Sequence, residues 1–199
     1  MTTTRPLRVG LFCFDGTEEL DLVGPWEVLT AWAAVSPLRP QVLTFSADGA
    51  PVRCAKGLRL LPDTSAEQIG SLHVLVYPGG AGTRPLCIDH EHLAWLRAQR
   101  VTTPVIASVC TGALVLAAAG LLAGRPATTH WAAFDELAAL DGSVLADREA
   151  RYVDDGDVIT SAGVSAGIDM ALHLVARLED VATARAVRRE IQYDPAPPV

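Results

Sequence analysis

Short, continuously apolar runs alternate with longer stretches in helical spacing. Arg8–Phe14 (RVGLFCF), Leu72–Tyr77 (LHVLVY) and Pro104–Val109 read as buried strands, and Gln41–Ser46 as a further strand. Glu18–Ala34 places Leu20, Val23, Trp26, Leu29 and Ala33 at helical intervals. Pro25 lies inside that pattern, so the helix either kinks there or begins its regular part there. Val52–Leu61 alternates around Gly57 and predicts a hairpin. Further helices are predicted over Asp89–Gln99, Ala113–Leu122 (stopped by Gly124 and Pro126), Trp131–Leu140, Ser165–Leu178 with Ser165 as N-cap, and Val181–Gln192. Arg151–Asp154 and Asp157–Ser161, joined at Asp155-Gly156, predict a second hairpin. There is no internal repeat and no dividing linker. The expectation is one domain over residues 1–199, with its core at about 8–193 and a proline-rich tail at 194–199. Strands alternating with helices predict an α/β fold around a mostly parallel sheet.

Composition narrows the function classes. The 199 residues are 50% hydrophobic, with 16 Lys and Arg against 23 Asp and Glu, a formal net charge of -7. That balance argues against nucleic acid as a partner. The one basic cluster, Arg185, Arg188 and Arg189, lies beside Glu179, Asp180 and Glu190 and reads as a mixed helix face. No stretch approaches the roughly 18 apolar residues of a membrane span. The longest, Ala113–Ala123, is too short and contains Gly120. Met1–Arg8 has no apolar signal region, which points to the cytoplasm. Cys13, Cys54, Cys87 and Cys110 show neither CxxC nor metal-ligand spacing and read as free thiols, with no metal expected.

Ligands of parallel sheets bind outside the carboxyl ends of the strands. Three segments there have unusual chemistry: Asp15–Asp21, Pro78–Gly82 and Cys110–Gly112. Ser108-Val109-Cys110-Thr111-Gly112 sets a thiol between a buried strand and a helix start, the topology of a nucleophile elbow. Unpaired first-turn amides and the helix dipole would favour a thiolate there; the plain alternative is a small buried hydrophobe. Gly112 lets the backbone pass closely. Pro78-Gly79-Gly80-Ala81-Gly82 can offer amides to a developing oxyanion and matches no phosphate-binding pattern. Asp21 interrupts the apolar Leu20-Asp21-Leu22-Val23 and is either a cap or a buried acid. Beside Cys110 it would share a proton with the sulfur, as a protonated acid against a thiolate. Cys13 reads as core; Cys54 and Cys87 carry no assignment.

These elements resemble the DJ-1/PfpI superfamily, related to class I glutamine amidotransferase domains. The resemblance runs from Arg8 to Val199 and rests on the acid near the first strand, Tyr77-Pro78-Gly79-Gly80, the Cys110 elbow, Thr128-Thr129-His130-Trp131 and Ser165-Ala166-Gly167-Ile168-Asp169. It implies a flavodoxin-like, doubly wound fold with helices on both faces, and a homodimer. Within the superfamily the chain is most similar to the isonitrile hydratases, through Leu20–Pro25, Ser108–Gly112, Ala127–Trp131 and Tyr193-Asp194-Pro195-Ala196-Pro197-Pro198. Protease-like and glyoxalase-like branches usually carry Glu where Asp21 stands, and protease-like members carry His where Thr111 stands. The resemblance implies Cys110 as nucleophile, Asp21 as acid/base partner, and Thr111 bonding Asp21 or orienting a water. It places Gly79, Gly80, His130 and Gly163 around the pocket, with the Gly80 and Thr111 amides as an oxyanion hole. The implied reaction hydrates a small isonitrile to an N-substituted formamide without metal or organic cofactor.

Ser161-Ala162-Gly163-Val164 departs from the glycine-rich segment of the hydratases and implies a stiffer or smaller pocket. The longer C-terminal region of some hydratases has no counterpart in these residues. Other cysteine-dependent activities (small-carbonyl hydratase, amidase, deglycase) are alternatives. So is a ligand- or redox-sensing role, because Thr-Thr-His-Trp also resembles AraC-type regulators, whose DNA-binding helical domain has no match here. His130 can line the pocket or serve structurally. Asp169 and His173, at i and i+4, read as an internal hydrogen bond rather than metal ligands. Asp89-His90-Glu91-His92 reads as a solvated helix start, and Trp26, Trp32, Trp95 and Trp131 as core or interface aromatics.

Overall fold

The computed structural model describes residues 6–195. Its strands are β1 (Arg8–Phe12), β2 (Gln41–Ser46), β3 (Val52–Arg53), β4 (Arg59–Leu60), β5 (Thr64–Ser65), β6 (Val74–Tyr77), β7 (Val105–Val109), β8 (Pro126–Ala127), β9 (Leu145–Ala146), β10 (Tyr152–Asp154) and β11 (Val158–Ser161). Its helices are α1 (Glu19–Val35), α2 (Thr83–Leu86), α3 (His90–Thr102), α4 (Gly112–Ala118), α5 (Phe134–Leu140), α6 (Ala166–Leu178) and α7 (Val181–Glu190). The main sheet has the order β10-β11-β7-β6-β1-β2-β5 and is parallel except for β10. Its five central strands run β2-β1-β6-β7-β11, the flavodoxin-like order, so the doubly wound expectation holds.

Alternation along the strands feeds two cores. Val9, Leu11 and Cys13 of the β1 segment join Val105, Ala107 and Val109 of β7 on the face covered by α1, α6 and α7. Phe12, Phe14, Leu75 and Ile106 face the other way, with Leu93 and Leu96 of α3, Leu114 of α4 and Leu137 of α5. The chain reverses direction across the sheet between β1 and β6. The loops after β1, β6 and β7 therefore meet at one edge, where such folds bind ligands.

Several boundaries depart from the pattern-based expectation. α1 continues through Pro25 instead of starting there; with no Pro25 N–H, the Asp21 carbonyl four residues back loses its helical partner. α4 ends at Ala118, where Gly120 takes a positive φ of 77, so the stop lies before Gly124. α5 begins at Phe134, three residues later than expected, and leaves Trp131 exposed. Ser165 sits at the N-cap of α6, but its hydroxyl faces Arg151 and caps nothing. The two-residue pieces β5, β8 and β9 were too short to carry a periodic signal. Ala196–Val199, which end the proline-rich tail, lie outside the described residues. Among the described residues no helix is long and apolar enough to cross a membrane.

Candidate active site

Cys110 has φ 57, a left-handed conformation rare for a side chain with Cβ. It is the sharp turn of an elbow, and both flanks are fixed. The Cys110 amide donates to the Ser161 and Ala162 carbonyls at 3.1 and 3.2 Å, and its carbonyl accepts from Thr129 Oγ1 at 2.9 Å. A Cβ on Gly112 would fall on the Tyr77 and Pro78 carbonyls, so α4 can start this close to β6 only from glycine. The elbow opens into a cavity of about 470 Å³ lined in part by Gly80, Ala81, Arg84, Thr111, His130 and Val164.

Asp21 approaches from the first turn of α1. It is fully buried and caps nothing, which settles the choice between cap and buried acid. Its Oδ2 accepts from the Gly79 amide at 3.0 Å; Oδ1 is buried without a satisfied hydrogen bond. Asp21 and Cys110 adjoin, and the nearby Val164 amide draws both pKa values down. Burial pushes the Asp21 carboxyl up to about 7, against the lowering effect of the Cys110 thiol and the Gly79 amide. Burial, then the Asp21 charge, pushes the Cys110 thiol up to about 12, while the Thr111 and Val164 amides pull it down. The sequence pointed to an acidic cysteine at a helix start. The helix-start amide is present, but α4 has only seven residues and Cys110 is 6% exposed, so desolvation wins. Because burial raises both groups and the Asp21 charge raises the thiol further, the pair keeps at least one proton across the neutral range.

The other predicted residues divide. Gly80 and His130 line the cavity; Gly79 and Gly163 stand behind it. Gly79 holds Asp21, and Gly163 abuts the Cδ2 edge of the His130 ring, where a Cβ would overlap it. Thr111 Oγ1 does not reach Asp21. It accepts from the Gly80 amide at 2.9 Å and lies 3.2 Å from the Gly80 carbonyl. The Gly80 amide is therefore occupied by Thr111, while the Thr111 amide faces the sulfur.

Sequence reasoning missed Val164, whose amide lies near both groups and lowers their pKa values. A β-branched residue at φ 53 is strained, and nothing in an apolar letter announces that. It also missed Arg84, whose guanidinium bridges Glu136 at 2.7 and 2.9 Å on the cavity rim; that pair joins segments 52 residues apart. Asp169 and His173 do not bond each other: Asp169 takes Arg151 and Tyr193, and His173 takes Asp154 at 2.6 Å. Among the described residues no group of three or more His, Cys, Asp or Glu is arranged to hold a metal ion.

A flavodoxin-like sheet with a strained cysteine elbow and a buried acid beside the sulfur defines a class of α/β proteins that set a thiol at a strand-to-helix turn. The chain belongs to the DJ-1/PfpI family, whose model matches residues 7–177. It is 43% identical to an isonitrile hydratase of Pseudomonas putida over 192 residues, 96% of this chain and 81% of that protein. It is 31% identical to the HTH-type transcriptional regulator GbdR of Pseudomonas aeruginosa over 153 residues, 76% of this chain but 41% of the regulator. A THiJ/PfpI family protein from Pseudomonas syringae superposes with a TM-score of 0.87 at 33% identity, covering 100% of this chain and 81% of that one.

Proposed function

We propose that the protein hydrates small isonitriles to N-substituted formamides, with Cys110 as nucleophile and Asp21 as proton carrier. The observation that carries this reading is Cys110 lining a cavity with the buried Asp21 beside it; similarity to an isonitrile hydratase gives the substrate class. The pair's shared proton sets the sequence of steps. Sulfur attacks the terminal isonitrile carbon as Asp21 delivers that proton to the same carbon, giving a thioimidate. The ionised Asp21 then takes a proton from water as the water attacks the thioimidate carbon, and passes it to the nitrogen. Collapse breaks the C–S bond and releases the formamide, while Asp21 takes the hydroxyl proton and so restores the single proton of the pair. One isonitrile and one water give one formamide, without metal or organic cofactor. Gly80 and His130 would shape the pocket, with Gly163 holding His130, Gly79 holding Asp21 and Thr111 holding the Gly80 loop.

Purified protein offered cyclohexyl and aryl isonitriles should form the corresponding formamides, and Cys110→Ala should lose at least about a thousandfold in rate. Activity undiminished in Cys110→Ala would overturn the mechanism. Similarity to GbdR favours a second reading, in which the pocket binds a ligand without converting it. Saturable binding with no turnover across the panel would select it.

A further inference from the structure

A second cavity of about 450 Å³ opens at the carboxyl ends of β1 and β2, across the β1–α1 loop from Cys110, and shares no lining residue with the cysteine pocket. Its size is that of a small-molecule site. Phe12, Phe14, His92 and Trp95 form its wall. Their rings are one cluster: Phe12 lies 5.3 Å from His92 and 5.2 Å from Trp95, and His92 lies 5.2 Å from Trp95. Trp95 Nε1 is buried there without a hydrogen-bond partner.

The rim is uniformly acidic. Asp15, Asp48, Asp89 and Glu91 line the cavity, no Lys or Arg does, and none of the four forms an ion pair among the described residues. Asp15, Asp48 and Asp89 each use one oxygen on backbone amides. Asp89 also satisfies the first amides of α3, which removes the feature that would attract an anion. Burial lowers the His92 pKa, so the ring adds no opposing charge at neutral pH.

We propose that this cavity binds an organic cation with an apolar body, such as a quaternary ammonium or protonated amine, held between the aromatic wall and the acidic rim. An aromatic wall attracts a cation through its ring faces, and four uncompensated carboxylates add a long-range field. A neutral apolar molecule would gain only the wall; an anion would be repelled.

The test uses the intact protein, with phenyltrimethylammonium, its neutral isostere tert-butylbenzene and benzenesulfonate as probes, followed by the indole N–H resonance of Trp95 (assigned with Trp95→Phe). The cation should shift that resonance saturably and bind about tenfold more tightly than the isostere. Benzenesulfonate should not bind. Asp48→Asn and Glu91→Gln, both exposed, should each weaken the cation roughly threefold without changing the fold's melting temperature. Equal affinity for cation and isostere, unchanged affinity in both charge variants, or a shift confined to residues around Cys110 would each overturn the proposal. The outcome is independent of whether Cys110 turns over isonitriles.

Discussion

At the scale of single residues, the site is governed by the cost of burying Asp21. An ordinary carboxyl titrates near 4, and this one is raised to about 7, so the fold favours its protonated form. The penalty is absent below about pH 4, grows as pH rises towards 7, and is then fully present. Asp21→Asn keeps an acceptor for the Gly79 amide and removes the charge. It should therefore stabilise the protein at pH 8 by about 2–4 kcal/mol, an advantage that fades on acidification, measured by denaturant melts at both pH values. The same change should abolish isonitrile turnover. In the unmutated protein, kcat/KM should fall as pH drops through about 7, because a second proton on the pair removes the carboxylate that draws the proton from sulfur. A pH-independent rate between 5 and 8 would contradict the proton-carrier role.

At the scale of elements, the elbow depends on how closely three loops approach. Gly112 lets α4 begin against the carbonyls at the end of β6, and the Thr111 hydroxyl ties that start to Gly80. Gly112→Ala should push the elbow outward, costing several kcal/mol, about 3 or more, in thermal melts and most of the activity. Much of this was legible in the chain. Apolar runs set the strands, and a cysteine and glycine between a strand and a helix marked the elbow. What stayed hidden was set by contacts distant in sequence. Thr111 bonds Gly80 rather than Asp21 because the β6 loop lies between them; Val164 enters only because β11 runs beside β7. Cys110 also seemed more acidic than it is, since burial of the sulfur cannot be read from its neighbours.

At the scale of the whole molecule, α1 exposes Leu20 and Trp26, and the β3–β4 hairpin exposes Leu58 and Leu61. Glu19 ties the two elements together through the Lys56 and Leu58 amides, so these side chains belong to one end of the protein. We propose that these apolar side chains form the contact between two copies in a homodimer. Light scattering after gel filtration should give twice the chain mass, and Trp26→Glu should give the monomer. A monomeric unmutated protein would contradict the pairing.

The proposed mechanism requires a covalent bond between Cys110 and the substrate carbon. Rapid acid quenching of protein mixed with cyclohexyl isonitrile, followed by intact-mass and peptide mass spectrometry, tests it directly. The expected result is a transient mass increase equal to one isonitrile, located on the peptide carrying Cys110 and absent from Cys110→Ala. Formamide production with no adduct on Cys110 at any quench time, or an adduct on Cys13, Cys54 or Cys87 in its place, would contradict the account.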